Sequence, residues 1–405
     1  MAGVKFHTFR ALRERNFRLF FVGQVLSVSG TWAQRVAQAW LAYRLTHSSL
    51  YLGYVTFAAS APAFLLTPIA GLLADRVERR RILVWAQFFA MLQAVALAIA
   101  TLSGAITANW LLLLSLVLGI VNAFENPTRQ SFYTEMVETE DLSNAIALNA
   151  SLVNAARVIG PAVAGGLVAL WGEGICFAIN AASFLAVIVA LLMMKVKPVA
   201  KVSGRGKNWK MLRQGFTFVR GTPMLAAMLF NFGIFNLAGS PYQTLLPILA
   251  AERLLTGPAG LGWLVSASGI GAIASSLVLA SRLNTRGLPM ASFIASALAG
   301  VALVVLGFSR SLALSLVMML IVGAGYSTTL AATQTMMQTW VQEVMRGRVM
   351  SFYSLIFLGV PPIGSLIAGI AAARFHATVT VAIGGLLCVA GALYCARSEG
   401  TTAGS

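Results

Sequence analysis

Gly71-Leu72-Leu73-Ala74-Asp75-Arg76-Val77-Glu78-Arg79-Arg80-Arg81 crowds six charged residues into positions 75–81, and apolar runs near 51–73 and 82–103 flank it. A membrane-crossing helix needs roughly 20 apolar residues. Both runs meet that length, so the charged stretch reads as the short loop between two spans.

The pattern continues outward from there. Runs near 17–43, 109–133, 144–170 and 174–194 complete a first set, and runs near 224–250, 259–281, 289–308, 312–336, 348–373 and 377–396 form a second. Of 405 residues, 58% are hydrophobic and 10% are charged, with a mean hydropathy of +0.82. A water-soluble domain of that composition would expose large apolar surface. The expected fold is therefore all-α and integral to the membrane, with about twelve helices arranged as two six-helix bundles. Residues 1–194 would form the first bundle, 195–223 a basic linker and 224–405 the second. The first apolar run is too long for a signal-peptide core and lacks a small-residue cleavage site after it, so it is expected to be retained.

The net charge is +17, and its placement decides its meaning. Lys5, Arg10, Arg13, Arg15 and Arg18 precede the first span, and Arg76, Arg79, Arg80 and Arg81 follow the second. Lys195, Lys197, Lys201, Arg205, Lys207, Lys210, Arg213 and Arg220 fill the one long connection. All three clusters fall on one side if the spans alternate, and the positive-inside rule makes that side cytoplasmic, with both termini on it. The other side carries Arg44, Arg253, Arg310 and Arg374. A bacterial inner-membrane location follows, with the lipid bilayer as partner and no nucleic acid, because no basic stretch is interleaved with aromatics in a soluble module. Cys176, Cys388 and Cys395 sit in apolar runs without metal-ligand spacing, so neither a metal nor a cofactor is expected.

The halves echo one another. An offset of 204 aligns Gly119, Gln130, Val137, Gly160 and Gly165 with Gly323, Gln334, Val341, Gly364 and Gly369, and an offset of 209 aligns Gly30, Gln34 and Gly53 with Gly239, Gln243 and Gly262. Two such repeats related by an axis along the membrane normal would enclose a substrate cavity near the midplane. Between them, Trp209, Met211, Leu212, Phe216, Phe218 and Val219 alternate with Lys210, Arg213 and Arg220. That basic amphipathic pattern suits a helix lying on an anionic leaflet.

Three motifs carry a resemblance. The stretch from Gly71 to Arg81 resembles the loop signature of the major facilitator superfamily, which implies a gating role for Gly71, Asp75, Arg76, Arg79 and Arg80. Gly71 would allow close helix approach, and Asp75 would accept charge-assisted hydrogen bonds. Asn154 to Gly166, with Gly160, Pro161, Gly165 and Gly166, is similar to the Gly-Pro motif of proton-coupled exporters in that superfamily. The run Glu125-Asn-Pro127-Thr-Arg129-Gln130, followed by Asp141 to Asn149, resembles the subgroup of enterobactin-type siderophore exporters and macrolide or other drug exporters; Arg129 joins the gating set. These resemblances imply alternating access, export and proton antiport.

Arg35, Glu125 and Arg157 are charged residues inside apolar spans, where an unpaired ion costs several kcal/mol. Counted from the cytoplasmic ends, Glu125 and Arg157 differ in depth by about 7 Å, so they are expected to pair. Glu125 would carry the proton and Arg157 would tune it; a static salt bridge is the competing reading. Gln24, Trp32, Gln34 and Gln38 of the first span, with Asn231, Asn236, Tyr242 and Gln243 of the seventh, are expected to line the cavity. Arg35 points to an anionic or acceptor-rich ligand.

The expected function is secondary active export of a small drug-like compound or secondary metabolite by a monomer. A dedicated siderophore exporter is the alternative within transport. An integral membrane transferase would need convergent acid, base and nucleophile, whereas the apolar runs offer one carboxylate and no histidine, since His7, His47 and His376 fall in loops or termini.

Overall fold

The computed structural model describes residues 9–195, 209–282 and 285–402. Lys5, His7, Lys197, Lys201, Arg205 and Lys207 lie outside the described residues, as do the side chains of Asp75, Trp209, Lys210, Met211 and Leu212.

The first half contains α1 (Arg15–Thr46), α2 (Ser49–Arg76), α3 (Arg79–Leu102) and α4 (Ala108–Met136). A continuous 52-residue helical segment follows, Leu142–Met193. At about 1.5 Å per residue it would be about 78 Å long, more than twice the hydrocarbon thickness, so it must turn back. It does so at Gly172, whose φ of 79° suits a residue without Cβ. The segment is two spans, α5 (142–171) and α6 (173–193). After the linker helix α7 (Trp209–Arg220) come α8 (Pro223–Arg253), α9 (Gly257–Ala280), α10 (Leu288–Phe308), α11 (Leu312–Thr339), α12 (Glu343–Phe375) and α13 (Ala377–Thr402).

Ten of the described helices are long and apolar enough to cross a membrane. The broken segment counts twice, and α1 adds another: at 32 residues it is long enough, and it falls short on hydropathy because it carries Gln24, Gln34, Gln38 and Arg35. Twelve crossings result among the described residues, and the protein is a multi-pass all-α membrane protein.

The end of the bundle where α1 begins carries Arg10, Arg13, Arg18 and Arg79 to Arg81; we call it the basic end and its opposite the far end. Arg80 donates to the carbonyls of Leu191 (2.7 Å) and Leu192 (2.8 Å), capping the last turn of α6 where helix carbonyls lack partners. Arg79 pairs with Glu135 of α4 at 2.7 Å, and Arg10 with Asp141. The charged stretch that opened the analysis thus ties α3 to α4 and α6.

The glycine echo is a packing code. A Cβ on Gly119 would stand 2.7 Å from the Ala58 carbonyl of α2, and its image Gly323 meets the Ser268 carbonyl of α9 in the same way. Gly30 abuts α6 at Asn180 and Ser183, while Gly239 abuts α13 at Cys388. Gly160 faces α1 at Trp32, while Gly364 faces α8 at Leu237 and Pro241. The remaining images join the halves: Gly53 of α2 lies against Gly369 of α12, and Gly165 of α5 against Gly262 of α9. Small residues let the backbones approach closely where lipid supplies no hydrophobic drive.

These two contacts lie toward the far end, where two hydrogen bonds also cross between the halves. The Tyr43 hydroxyl donates to Glu252 Oε1 (3.1 Å), and the Ser49 hydroxyl to the Gly369 carbonyl (3.2 Å). At the basic end, a Cβ on Gly71 or Gly347 would meet nothing within 4 Å. The seam is closed by these contacts at the far end, while at the basic end neither Gly71 nor Gly347 has another helix against it. The close helix approach expected at Gly71 is therefore absent in this conformation.

Candidate functional site

α1 and α4 each present a polar stripe at helical spacing. Gln24, Val28, Thr31 and Arg35 follow one another every three or four residues on α1, as do Leu118, Asn122, Glu125 and Arg129 on α4. The stripes face a cavity of about 160 Å³ within the first half, closed by Gln87 of α3, Val153 of α5 and Asn180 and Phe184 of α6.

Of the expected lining residues, Gln24, Trp32 and Gln34 reach this cavity. Gln34 also holds the wall together: it donates to Gln93 Oε1 (3.0 Å) and accepts from Asn180 Nδ2 (2.7 Å), joining α1, α3 and α6. Gln38 is a correction: it is buried and donates to the Ser115 hydroxyl (2.5 Å), an interhelical tie rather than a lining group. The structure places the four α8 residues away from this first-half cavity. Asn231 and Asn236 are fully buried, Tyr242 is hydrogen-bonded to Ser268 at 3.2 Å, and Gln243 is exposed; none lines this cavity. Tyr242 and Gln243 follow a π turn at Phe235–Gly239, which adds one residue to the turn and rotates the side chains after it off the face that a regular helix would present.

Asn180 gives a direct test of the wall. Asn180→Leu leaves the buried Gln34 oxygen without its donor, so a stability loss of about 1–3 kcal/mol is expected. A lower thermal midpoint in detergent would show it, and an unchanged one would mean that Gln34 finds another partner.

Glu125 pairs with Arg129, one turn further along α4, at 3.0 Å, and not with Arg157. Side chains four apart on a helix are neighbours, and this local geometry wins over the interhelical pair expected from depth alone. The contact is a loose one: Arg129 Nε makes no aligned hydrogen bond, while its other nitrogens reach Gln24 Oε1 (3.4 Å) and Asn126 Oδ1 (3.2 Å). Arg129 therefore lies in the cavity wall rather than with the charged loop. Arg35 lines the cavity with its guanidinium 5.0 Å from the centre of the Trp32 ring, a cation–π contact. It feels the like charges of Arg129 and Arg157 and the opposite charge of Glu125.

Arg157 sits one turn beyond Val153 on α5, half-buried, and its charge also reaches Tyr326 of α11 in the other half. Pro161 has no N–H to give the Arg157 carbonyl, and that carbonyl is covered by Gly269 of α9. Of the other motif residues, Gly160 packs on Trp32, Gly165 belongs to the seam and Gly166 has open space beside it. Arg76 is exposed.

Sequence reasoning missed two carboxylates. Glu173, 6% exposed at the α5–α6 turn, accepts from Arg44 at 2.8 and 3.2 Å, and Glu252 accepts from Tyr43 across the seam. Glu173 follows Trp171 and Gly172 at the break between two apolar runs, where it reads as an ordinary loop charge.

The family model for transmembrane secretion effectors matches residues 6–402. The chain belongs to that family of the major facilitator superfamily. Relatives extend over most of this secretion-effector chain at low identity. The Staphyloferrin A transporter of Staphylococcus aureus is 27% identical over 384 residues, 93% of this chain and 95% of the relative. The multidrug efflux pump Tap of Mycolicibacterium fortuitum is 26% identical, covering 85% and 86%, and the enterobactin exporter EntS of Escherichia coli O1:K1 / APEC is 23% identical, covering 87% and 84%. Among solved structures, a POT family transporter in complex with a thioalcohol-conjugated peptide superposes with a TM-score of 0.75 at 12% identity, covering 96% of each chain. A bacterial homologue of the iron transporter ferroportin in an inward-facing state gives 0.70 at 18% identity, covering 94% of this chain and 97% of its own. These structures share the fold. The protein is a membrane transporter of the major facilitator type.

Proposed function

We propose that the protein exports a small molecule, a drug-like compound or secondary metabolite, across the bacterial cytoplasmic membrane by alternating access in exchange for protons. The observation that carries this reading is Glu125: among the described residues it is the carboxylate that lines the cavity, and its ion pair with Arg129 is loosely aligned. A carboxylate at such a place can take a proton without breaking a rigid network. The basic end faces the cytoplasm, with both termini, in keeping with the positive-inside rule. In this orientation the seal at the far end makes the conformation inward-facing. The bundles 1–194 and 224–405 rock about the seam, joined by 195–223, and one chain supplies both sides of it, so a monomer suffices. The family's description as secretion effectors supports export over uptake.

A dedicated siderophore exporter is the second reading, favoured by two relatives named for staphyloferrin A and enterobactin. Accumulation of an iron chelator inside a deletion strain would select it over general drug efflux.

The test uses everted vesicles and compounds chosen by a susceptibility and metabolite screen of cells with and without the chain. Glu125→Gln keeps an acceptor for Arg129 and removes the titratable group. Proton-driven transport is expected to fall about tenfold or more, as for the loss of about 1.4 kcal/mol in a driving interaction. Unchanged coupling would remove Glu125 from the mechanism.

A further inference from the structure

The charges around the cavity do not balance. Arg35 and Arg129 line it with one carboxylate, Glu125, and Arg157 stands one turn beyond the lining Val153 of α5. Glu125 is engaged by Arg129. Arg35 and Arg157 make no ion pair among the described residues, and Arg35 keeps only the Trp32 ring beneath it. A guanidinium in a membrane span is retained where it pairs or meets a ligand. Stacked on an aromatic face, its N–H edge stays free to donate in plane, the geometry that suits carbonyl and carboxylate oxygens.

We infer that Arg35 and Arg157 set the substrate class: the transported compound is oxygen-rich, carries no positive charge, and accepts hydrogen bonds from both guanidiniums, while cations are excluded. This rests on the reading that the cavity is the transport site. Arg35 lies on α1 and Arg157 on α5, where the Arg157 carbonyl is covered by Gly269 of α9, so a ligand held by both arginines sits beside the seam across which the halves rock. A hydroxyl on the same ligand can donate to ionised Glu125. Protonation removes the charge of that acceptor and weakens it, so ligand and proton compete for one carboxylate, which is the sign that exchange requires.

A lipophilic cation entering this site would meet two uncompensated positive charges in a low-dielectric setting, a penalty worth at least about tenfold in affinity. The discrimination can be read with two dyes that share a xanthene core, fluorescein, which bears oxygens, and rhodamine 123, which bears amino groups and a positive charge. Chloramphenicol, neutral and carrying hydroxyl and carbonyl oxygens, serves as a third probe. Binding is measured by tryptophan fluorescence on purified full-length protein without any gradient, so a failure of the proton-exchange reading would leave the result intact.

The wild type is expected to favour fluorescein and chloramphenicol over rhodamine 123. In Arg35→Gln/Arg157→Gln the ratio of fluorescein to rhodamine affinity is expected to fall about tenfold or more. Arg35→Lys/Arg157→Lys keeps the charge and is expected still to exclude rhodamine 123, which separates electrostatic exclusion from general damage to the fold. A preference unchanged in the glutamine variant, including no binding of any probe by either protein, would overturn the inference, as would a wild type that binds rhodamine 123 as tightly as fluorescein.

Discussion

Gly262→Leu is expected to abolish transport while leaving the protein inserted in the membrane. A Cβ at this position runs into the carbonyl of Pro161, with the Gly165 Cα 3.0 Å away. Both obstacles are backbone, so no rotamer change relieves them. Overpacking a core ordinarily costs about 1–3 kcal/mol, and a clash between two helix backbones belongs at or above the top of that range. A bias of about 5.5 kcal/mol moves a two-state equilibrium from 99:1 to 1:99, so even part of the clash displaces the sealed form substantially. The readout is labelling of Ser49→Cys by a membrane-impermeant maleimide applied from the far side. Ser49 is 8% exposed beside the Gly369 contact, so labelling should be slow in the parent and about tenfold faster with leucine at 262. Gly166→Leu is the control, because a Cβ there meets nothing within 4 Å. If Gly262→Leu transports normally and labels no faster than the parent, the seam is not the gate.

Glu125→Leu is expected to destabilise the protein more than Arg129→Leu. Removing one member of a buried ion pair ordinarily costs about 3–5 kcal/mol. Here the side chains of Arg129 and Glu125 retain 21% and 13% exposure, so about 2–3 kcal/mol is the appropriate scale. The two halves of the pair are not equivalent. Loss of Glu125 leaves Arg35 and Arg129 in a cavity wall with no anion among the described residues, whereas loss of Arg129 leaves Glu125 in the same wall as Arg35. The double variant Glu125→Leu/Arg129→Leu should recover much of the stability and none of the transport. Thermal midpoints of the three variants in detergent form a double-mutant cycle that isolates the pair. Equal losses for the two single variants would mean that Arg35 and Arg157 do not share the electrostatics of Glu125.

The fold was legible because lipid imposes simple demands. Apolar length marked the spans from 51 to 103 and beyond, the charged stretch at 75–81 marked a loop, and the glycine echoes proved to be helix contacts repeated in each half. The site was legible in part. Polar residues at helical spacing on α1 marked a wall of the cavity, and Arg35 and Glu125 were visible as charges without a reason to be in hydrocarbon. Pairing was not legible: depth along the membrane suggested Arg157 for Glu125, while the residue four places on was nearer. The facing of Tyr242 and Gln243 on α8 was not legible, because a π turn leaves no reliable mark in the pattern of residues and reorients the side chains after it. Glu173 was missed because a carboxylate between two apolar runs looks solvated until its partner, Arg44, is placed against it.

The turn at Gly172 leaves almost no chain between α5 and α6. With so little slack, neither helix can slide along the membrane normal without drawing the other. α5 bears on the opposite half through Gly165, while α6 grips the polar core through Asn180 and Gln34. In the proposed transport cycle, release of the far-end contact at Gly165 would act as a drawbar on the cavity wall at Asn180 through a single left-handed glycine.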